Sequence, residues 1–201
     1  MPLAWQNNTA ALCGRMDAPA AFSHRSRGVD YYVFPLVTRR LSGTADRLNV
    51  ILGEDEARTL PEGGQRLGIE GEVRSFNNRG GEGNRLQLYV FAQNLVPAGD
   101  DCNTVLLSGI LCRPPVWRRT PMGREICDLM LAVPRRYGRT DYLPCIAWGR
   151  TARDAAAWEQ GRPVRLTGRF QSRNYIKVTE TGSVQRTAFE ISVTEFLPTE
   201  G

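Results

Sequence analysis

Residues 125–133 alternate in character, with Cys127, Leu129, Leu131 and Val133 on one parity of the chain, as on the buried face of a strand. The same two-residue period runs through 164–171, where Val164, Leu166 and Phe170 oppose Arg165, Thr167, Arg169 and Gln171. It returns at 187–196, where Phe189, Ile191 and Val193 oppose Glu190, Ser192 and Thr194. Apolar runs at 105–112 and 142–148 predict two more strands. The Ala-rich stretch 151–158, closed by Gly161 and Pro163, predicts a short helix ending in a core Trp158. Three strands, a helix and two strands fit a small five-stranded barrel, the OB-fold, whose closure leaves few free edges.

The N-terminal half carries a faded copy of this pattern. Asn8-Thr9-Ala10-Ala11-Leu12-Cys13-Gly14 resembles Asn103-Thr104-Val105-Leu106-Leu107-Ser108-Gly109 at an offset of 95. Arg39-Arg40 lines up with Arg135-Arg136, Gly43 with Gly138, Asp46 with Asp141, Gly71 with Gly168, Ser75 with Ser172 and Leu95-Val96-Pro97 with Phe196-Leu197-Pro198. The offset drifts only from 95 to 101, which small loop-length differences would produce. Residues 54–60 fill the helix slot of the first copy and Glu62-Gly63-Gly64 the turn after it. The expectation is an all-β chain of two tandem five-stranded OB-fold barrels, residues 1–100 and 101–201, each with one short helix between strands 3 and 4.

Composition adds a polarity to this plan. With 41% hydrophobic and 23% charged residues in 201, the chain is neither disordered nor fibrous in type. No apolar stretch approaches the roughly 18–20 residues of a membrane span, and the N-terminus has neither a basic start nor an apolar signal core. The reading is a soluble cytoplasmic protein. Of 26 basic residues only Lys177 is a lysine, and the net charge is +5. Arginine's planar fork suits phosphate, although GC-rich coding gives the same bias. Residues 1–102 hold 11 basic and 12 acidic side chains, net −1, whereas 103–201 hold 15 and 9, net +6. The second copy is therefore the expected anion binder.

Catalytic chemistry finds little support. The five cysteines form no close pair along the chain and His24 is the sole histidine, so no metal site or cofactor is expected, and the cysteines read as buried, reduced thiols. Glu54-Asp55-Glu56 opens a predicted helix, where carboxylates complement the dipole. Arg79-Gly80-Gly81-Glu82-Gly83-Asn84 lies between two strands as a hairpin turn, not after a strand as a phosphate loop. No catalytic residue is assigned, and the protein reads as a non-enzyme.

Ordered motifs in the second copy carry a resemblance. Leu107-Ser108-Gly109, Arg119-Thr120-Pro121-Met122-Gly123-Arg124, Leu131-Ala132-Val133-Pro134-Arg135-Arg136, Thr140-Asp141-Tyr142-Leu143-Pro144-Cys145-Ile146-Ala147-Trp148-Gly149-Arg150 and Leu166-Thr167-Gly168-Arg169-Phe170-Gln171-Ser172-Arg173-Asn174-Tyr175 follow one another at suitable spacing. In these the second copy resembles the bacterial single-stranded DNA-binding proteins; the first copy resembles them only through its likeness to the second. The resemblance implies sequence-tolerant binding, with bases stacked on aromatic rings and arginines tracking phosphates. It places stacking at Trp148, Tyr142 and Tyr175, and more loosely at Tyr137. Trp117, flanked by Arg118 and Arg119, either stacks on a base or packs under its loop. Phosphate candidates are Arg118, Arg119, Arg135, Arg136, Arg139, Arg150, Arg169, Arg173 and Lys177. Parity agrees in part: Tyr142, Ile146 and Trp148 share one strand face, with the two rings about 20 Å apart. Stacking and phosphate contacts do not distinguish the sugar, which leaves RNA open beside single-stranded DNA.

The resemblance also has gaps. The first copy places Arg47 at the position of Tyr142, Asn78 at that of Tyr175, and Leu52 or its neighbour at that of Trp148. That copy is expected to be structural or dimerising. Tyr31, Tyr32 and Phe76 offer some stacking there, and adjacency sends one of the two tyrosines inward. Four-domain assemblies in the family imply a homodimer here. The sequence ends at Leu197-Pro198-Thr199-Glu200-Gly201, without the acidic-tipped recruitment tail usual in bacterial members. An accessory, mobile-element or primosome-type role is expected on that ground, and a protein-interaction scaffold built from OB-folds is the alternative.

Overall fold

A computed structural model of the protein describes residues 7–61, 64–78, 85–179 and 182–199, the side chains of Tyr137 and Thr179 excepted. The Arg79 to Asn84 turn, Glu62-Gly63 and the last two residues lie outside these. The first copy runs β1 (Asn8–Met16), β2 (Ala21–Ser26), β3 (Val29–Arg39), β4 (Ala45–Gly53), α1 (Glu54–Ala57), β5 (Arg66–Asn77) and β6 (Leu86–Val96). The second runs β7 (Cys102–Leu111), β8 (Val116–Arg119), β9 (Glu125–Pro134), a 3-10 turn (Arg136–Gly138), β10 (Thr140–Trp148), α2 (Arg150–Ala156), β11 (Pro163–Thr179) and β12 (Gly182–Leu197). Both copies have four strands before the helix, not three. The added strands, β2 and β8, are exposed at every position and so carry no apolar alternation to betray them.

The chain forms two compact units. The N-terminal unit is Ala10–Thr104 with Gln171–Ala188, and the C-terminal unit is Met1–Thr9, Val105–Phe170 and Phe189–Gly201. In the N-terminal unit the pairings form a cycle: β1 with β5, β5 with β6, β6 with β4, β4 with β3, and β3 with β1. Only β4 and β6 pair in parallel, at Val50↔Val90 and Ile51↔Phe91. The C-terminal unit repeats the cycle through β7, β11, β12, β10 and β9, again with one parallel pair, Cys145↔Ile191 and Ile146↔Ser192. Here the Ser108 N–H donates to the Asn7 carbonyl at 2.8 Å.

The repeated residues explain the cycle. Strands bend sharply where they change partner, and there a side chain has no room. A Cβ on Gly14 would overlap the Val37 carbonyl, and on Gly109 it would lie 2.6 Å from the Ala132 oxygen. Gly71 against Phe91 and Gly168 against Ser192 repeat the device. Gly43 (φ 86°) and Gly138 (φ 74°) close the equivalent β3–β4 and β9–β10 hairpins in the left-handed region. Beneath those turns lies the same buried ion pair. Arg40 holds Asp46 through Nε and Nη2 at 2.7 and 2.6 Å, and Arg135 holds Asp141 in the same two-pronged way. Asp46 and Asp141 are 1% and 0% exposed. Arg40 is therefore the counterpart of Arg135, and the sequence alignment of the two Arg-Arg pairs slips by one residue.

The core follows the predicted alternation on β9, where Cys127, Leu129, Leu131 and Val133 are all buried, and on β11, where Val164, Leu166 and Phe170 are. Fully burying each such side chain contributes roughly 1.5–3 kcal/mol. On β12 both Ile191 and Ser192 are buried, because the Ser192 carbonyl packs against Gly168. Three expectations change. Trp158 is half-buried, its ring 4.5 Å from that of Phe196 and under the Arg162 guanidinium. Tyr31 and Tyr32 are both half-buried, because β2 covers each with an aromatic partner. Only Cys127 and Cys145 are buried among the five free cysteines; Cys13, Cys102 and Cys112 are partly exposed.

Candidate nucleic-acid interface

In the C-terminal unit β9 pairs with β8 on one side and β10 on the other, so the two registers decide which side chains share a face. Ile126 lies opposite both Trp148 and Arg118, Asp128 opposite Ile146 and Val116, Met130 opposite Pro144, and Ala132 opposite Tyr142. This is the outer face, the other parity being the core. Trp148 and Tyr142 are 37% and 47% exposed, whereas Ile146 between them is buried at 5%. The aromatic face expected of β10 thus consists of its two ends. Half-buried Met130, Ala132 and Pro144 complete its apolar floor near Tyr142. Register, not composition, is the signal for those three.

Trp148 stands on a fixed backbone. Its N–H donates to Thr151 Oγ1 at 3.2 Å, and that hydroxyl donates back to the Trp148 carbonyl at 2.8 Å. The next residue, Gly149, turns the chain at φ 55° and donates its N–H to the Glu125 carbonyl at 2.9 Å. Trp117, opposite Cys127, takes the other parity at the sheet edge; it is 41% exposed with the Arg119 guanidinium 5.7 Å from its ring centroid.

The candidate cations fall into distinct situations. Arg136 and Arg139 are exposed in the turn leading into Tyr142, and Arg150, with a side chain 90% exposed, follows Trp148 by two residues. Arg169 is half-buried on β11. Arg118 grips Asp128 at 2.7 and 3.3 Å, and this hydrogen-bonded carboxylate raises its pKa above the ordinary guanidinium value. Arg119 lies 3.7 Å from Glu125, which Arg153 also approaches at 3.5 Å. Arg135 is drawn inward onto buried Asp141, which makes it part of the turn's structure. Glu125 and Asp128 partly neutralise the basic edge, and sequence reasoning did not single them out.

Tyr175, Arg173 and Lys177 belong to the N-terminal unit, on the stretch Gln171–Ala188. They share one parity of β11, with the Arg173 guanidinium 5.8 Å from the Tyr175 centroid, Tyr175 half-buried and Lys177 exposed. In the same unit the Ser172 N–H donates to Asp46 Oδ1 at 2.9 Å, and the Arg47 N–H to Ser172 Oγ at 3.2 Å. Tyr137 sits in the 3-10 turn, and its side chain lies outside the described residues.

The first copy differs at each matching place. Register through the two ion pairs puts Gly53 where Trp148 stands, opposite Tyr31, and buried Leu52 where Ala147 stands. Arg47, in the Tyr142 position, binds Asp17 at 2.9 Å. Phe22 occupies the Trp117 position, 58% exposed and edge-on to Tyr32 at 6.1 Å, while His24 stacks on Tyr31 at 5.0 Å. Phe22 and His24 escaped the sequence reading; the 95-residue offset from Trp117 was the available signal for Phe22. Phe76 is 55% exposed. Among the described residues no group of three His, Cys, Asp or Glu side chains is placed to hold a metal ion.

The model of the single-strand binding protein family matches residues 102–198. Single-stranded DNA-binding protein B of Bacillus subtilis is 34% identical over 80 residues, which span 36% of this chain and 71% of that protein. The chain belongs to the single-strand binding protein family. Single-stranded DNA-binding protein 1 of Streptococcus agalactiae is likewise 34% identical over 80 residues, 36% of this chain and 49% of its own. The chain thus spans about half the length of such curated relatives. The single-stranded DNA-binding protein of Thermus aquaticus shares the fold across both copies, with a TM-score of 0.78 and 24% identity over 96% of this chain and 94% of that one. The family's sequence signal thus lies in the second copy, and the likeness of the first copy is one of fold.

Proposed function

We propose that this protein binds single-stranded DNA without sequence preference, as a non-catalytic component of replication, recombination or repair in the cytoplasm. The observation that carries the reading is the pair of exposed rings, Tyr142 and Trp148, on one strand whose ends are flanked by exposed Arg136, Arg139 and Arg150. Flat rings accept any base and arginines accept any phosphate, which is the chemistry of a strand binder. Family membership and the names of the relatives support the same ligand. Each repeat, 1–100 and 101–201, acts as one OB-fold barrel; the pairing cycles and closing glycines support that architecture. The second holds the strand, and the first serves structure and dimerisation, giving four barrels per homodimer. No helix among the described residues is long and apolar enough to cross a membrane.

Tryptophan-fluorescence titration with oligo-dT and with duplex DNA, at low and high salt, tests the reading. Quenching by the single strand, weak duplex binding and a log–log salt slope of about −0.7 per phosphate contacted are expected. Absence of strand binding at low salt overturns it and favours the scaffold.

A further inference from the structure

Cys13 and Cys102 are remote in sequence and adjacent in the N-terminal unit. Cys13 lies opposite Gly68 of β5, and the residue after it, Gly14, presses against the Val37 carbonyl of β3. Cys102 reaches that same corner from the other direction, at the start of β7. Its carbonyl accepts from the Thr38 hydroxyl at 3.4 Å, one residue from Val37. The preceding Asp101 accepts the Arg39 N–H at 2.7 Å and pairs with Arg66 at 2.6 Å, so the chain entering Cys102 is held on two sides. Cys13 is a side-chain neighbour of the Cys102 thiol at this corner, and both residues are partly exposed. Neither residue belongs to the stacking face, and strand binding uses neither.

We propose that Cys13 and Cys102 form an oxidation site, at which a peroxide joins them in a reversible disulfide that pins the start of β7 to β1. The pair has what such a site needs: two thiols brought to one corner of the sheet, solvent access, and a backbone held on two sides at Cys102. The steps balance. The Cys13 sulfur attacks the peroxide, its O–O bond breaks, one oxygen leaves as water and the other stays as the Cys13 sulfenic acid. The Cys102 sulfur then displaces that oxygen, the S–S bond forms, and the displaced hydroxide leaves as water with the Cys102 proton. Overall two thiols are oxidised and one hydrogen peroxide is reduced to two waters. Burial first, and then the Cys13 neighbour, push the Cys102 thiol up to about 12. Cys102 is thus protonated at neutral pH, so its displacement of the sulfenic oxygen follows loss of that proton and is the slower of the two steps. Buried Cys127 and Cys145 are shielded from the oxidant.

The test treats the whole protein with hydrogen peroxide, quenches with acid and counts thiols under denaturing conditions. The five thiols should fall to three, with one peptide joining Cys13 to Cys102 and full recovery under dithiothreitol. Cys13→Ser and Cys102→Ser should each abolish that cross-link and form no other intramolecular disulfide. Five surviving thiols, a disulfide through Cys112, or overoxidation of single cysteines without the 13–102 bridge overturns the proposal. Because the readout is a covalent bond, it fails or succeeds independently of DNA binding.

Discussion

Strands β4 and β10 occupy the same place in the two copies and finish differently. Each begins under an Arg–Asp ion pair, Arg40 with Asp46 and Arg135 with Asp141, and each closes its cycle by one short parallel pairing. At the far end β10 presents Trp148 and leads into Arg150, whereas β4 ends in Gly53 and leads into Glu54-Asp55-Glu56. The residues that bend and close the strands are shared; those that face outward are not. Closure tolerates few chemistries, because a Cβ at Gly71 or an unpaired buried carboxylate is costly, while an outward side chain at a strand end tolerates nearly any. A duplicated fold can keep its frame and still divide labour between its copies.

The largest expected effect tests the shared frame. Arg40→Met and Arg135→Met each take the guanidinium from a buried carboxylate and should destabilise by about 3 kcal/mol, read as equal losses in chemical denaturation. Losses that differ by much more than about 1 kcal/mol would break the equivalence. The next effect tests the divided face. Trp148→Ala or Tyr142→Ala should weaken oligo-dT binding by about 1–3 kcal/mol each, whereas Phe22→Ala, at the first copy's exposed ring, should leave it within about 0.5 kcal/mol. An equal loss for Phe22→Ala would show both copies holding the strand. Smaller still, Arg139→Ala and Arg150→Ala should each lower the magnitude of the salt slope by about 0.7, while Arg27→Ala in the β2–β3 turn should leave it unchanged. Arg118→Ala should change affinity least among the second copy's basic-edge variants, since Asp128 already holds its guanidinium.

Much of this was legible in order and period. The alternation at Cys127, Leu129, Leu131 and Val133 marks the buried face of β9, and the offset of Gly14 to Gly109 and Asp46 to Asp141 marks the repeated corners. Periodicity failed where strands face solvent on both sides: β2 and β8, and the outer half of β11, where Ile176 and Val178 are 71% and 78% exposed. At the site, Trp148 and Tyr142 were legible from motif and parity. The burial of Ile146 was not, and neither was the capture of Arg118 and Arg135 by carboxylates, because both depend on which strands meet. Tyr175 was placed with Trp148 by sequence order, yet belongs to the other compact unit.

That division has a consequence for how the chain is made. Neither unit is one continuous stretch: the N-terminal unit includes Gln171–Ala188, and the C-terminal unit includes Asn7 to Thr9 as well as Val105–Phe170. At a synthesis rate of about 5–20 residues per second, Gln171 emerges several seconds after Thr104. The first cycle of strands has all its members by Val96 and small β folds close in milliseconds to seconds. The nascent chain therefore passes through a stage with one frame closed and the segment that completes its unit still unmade.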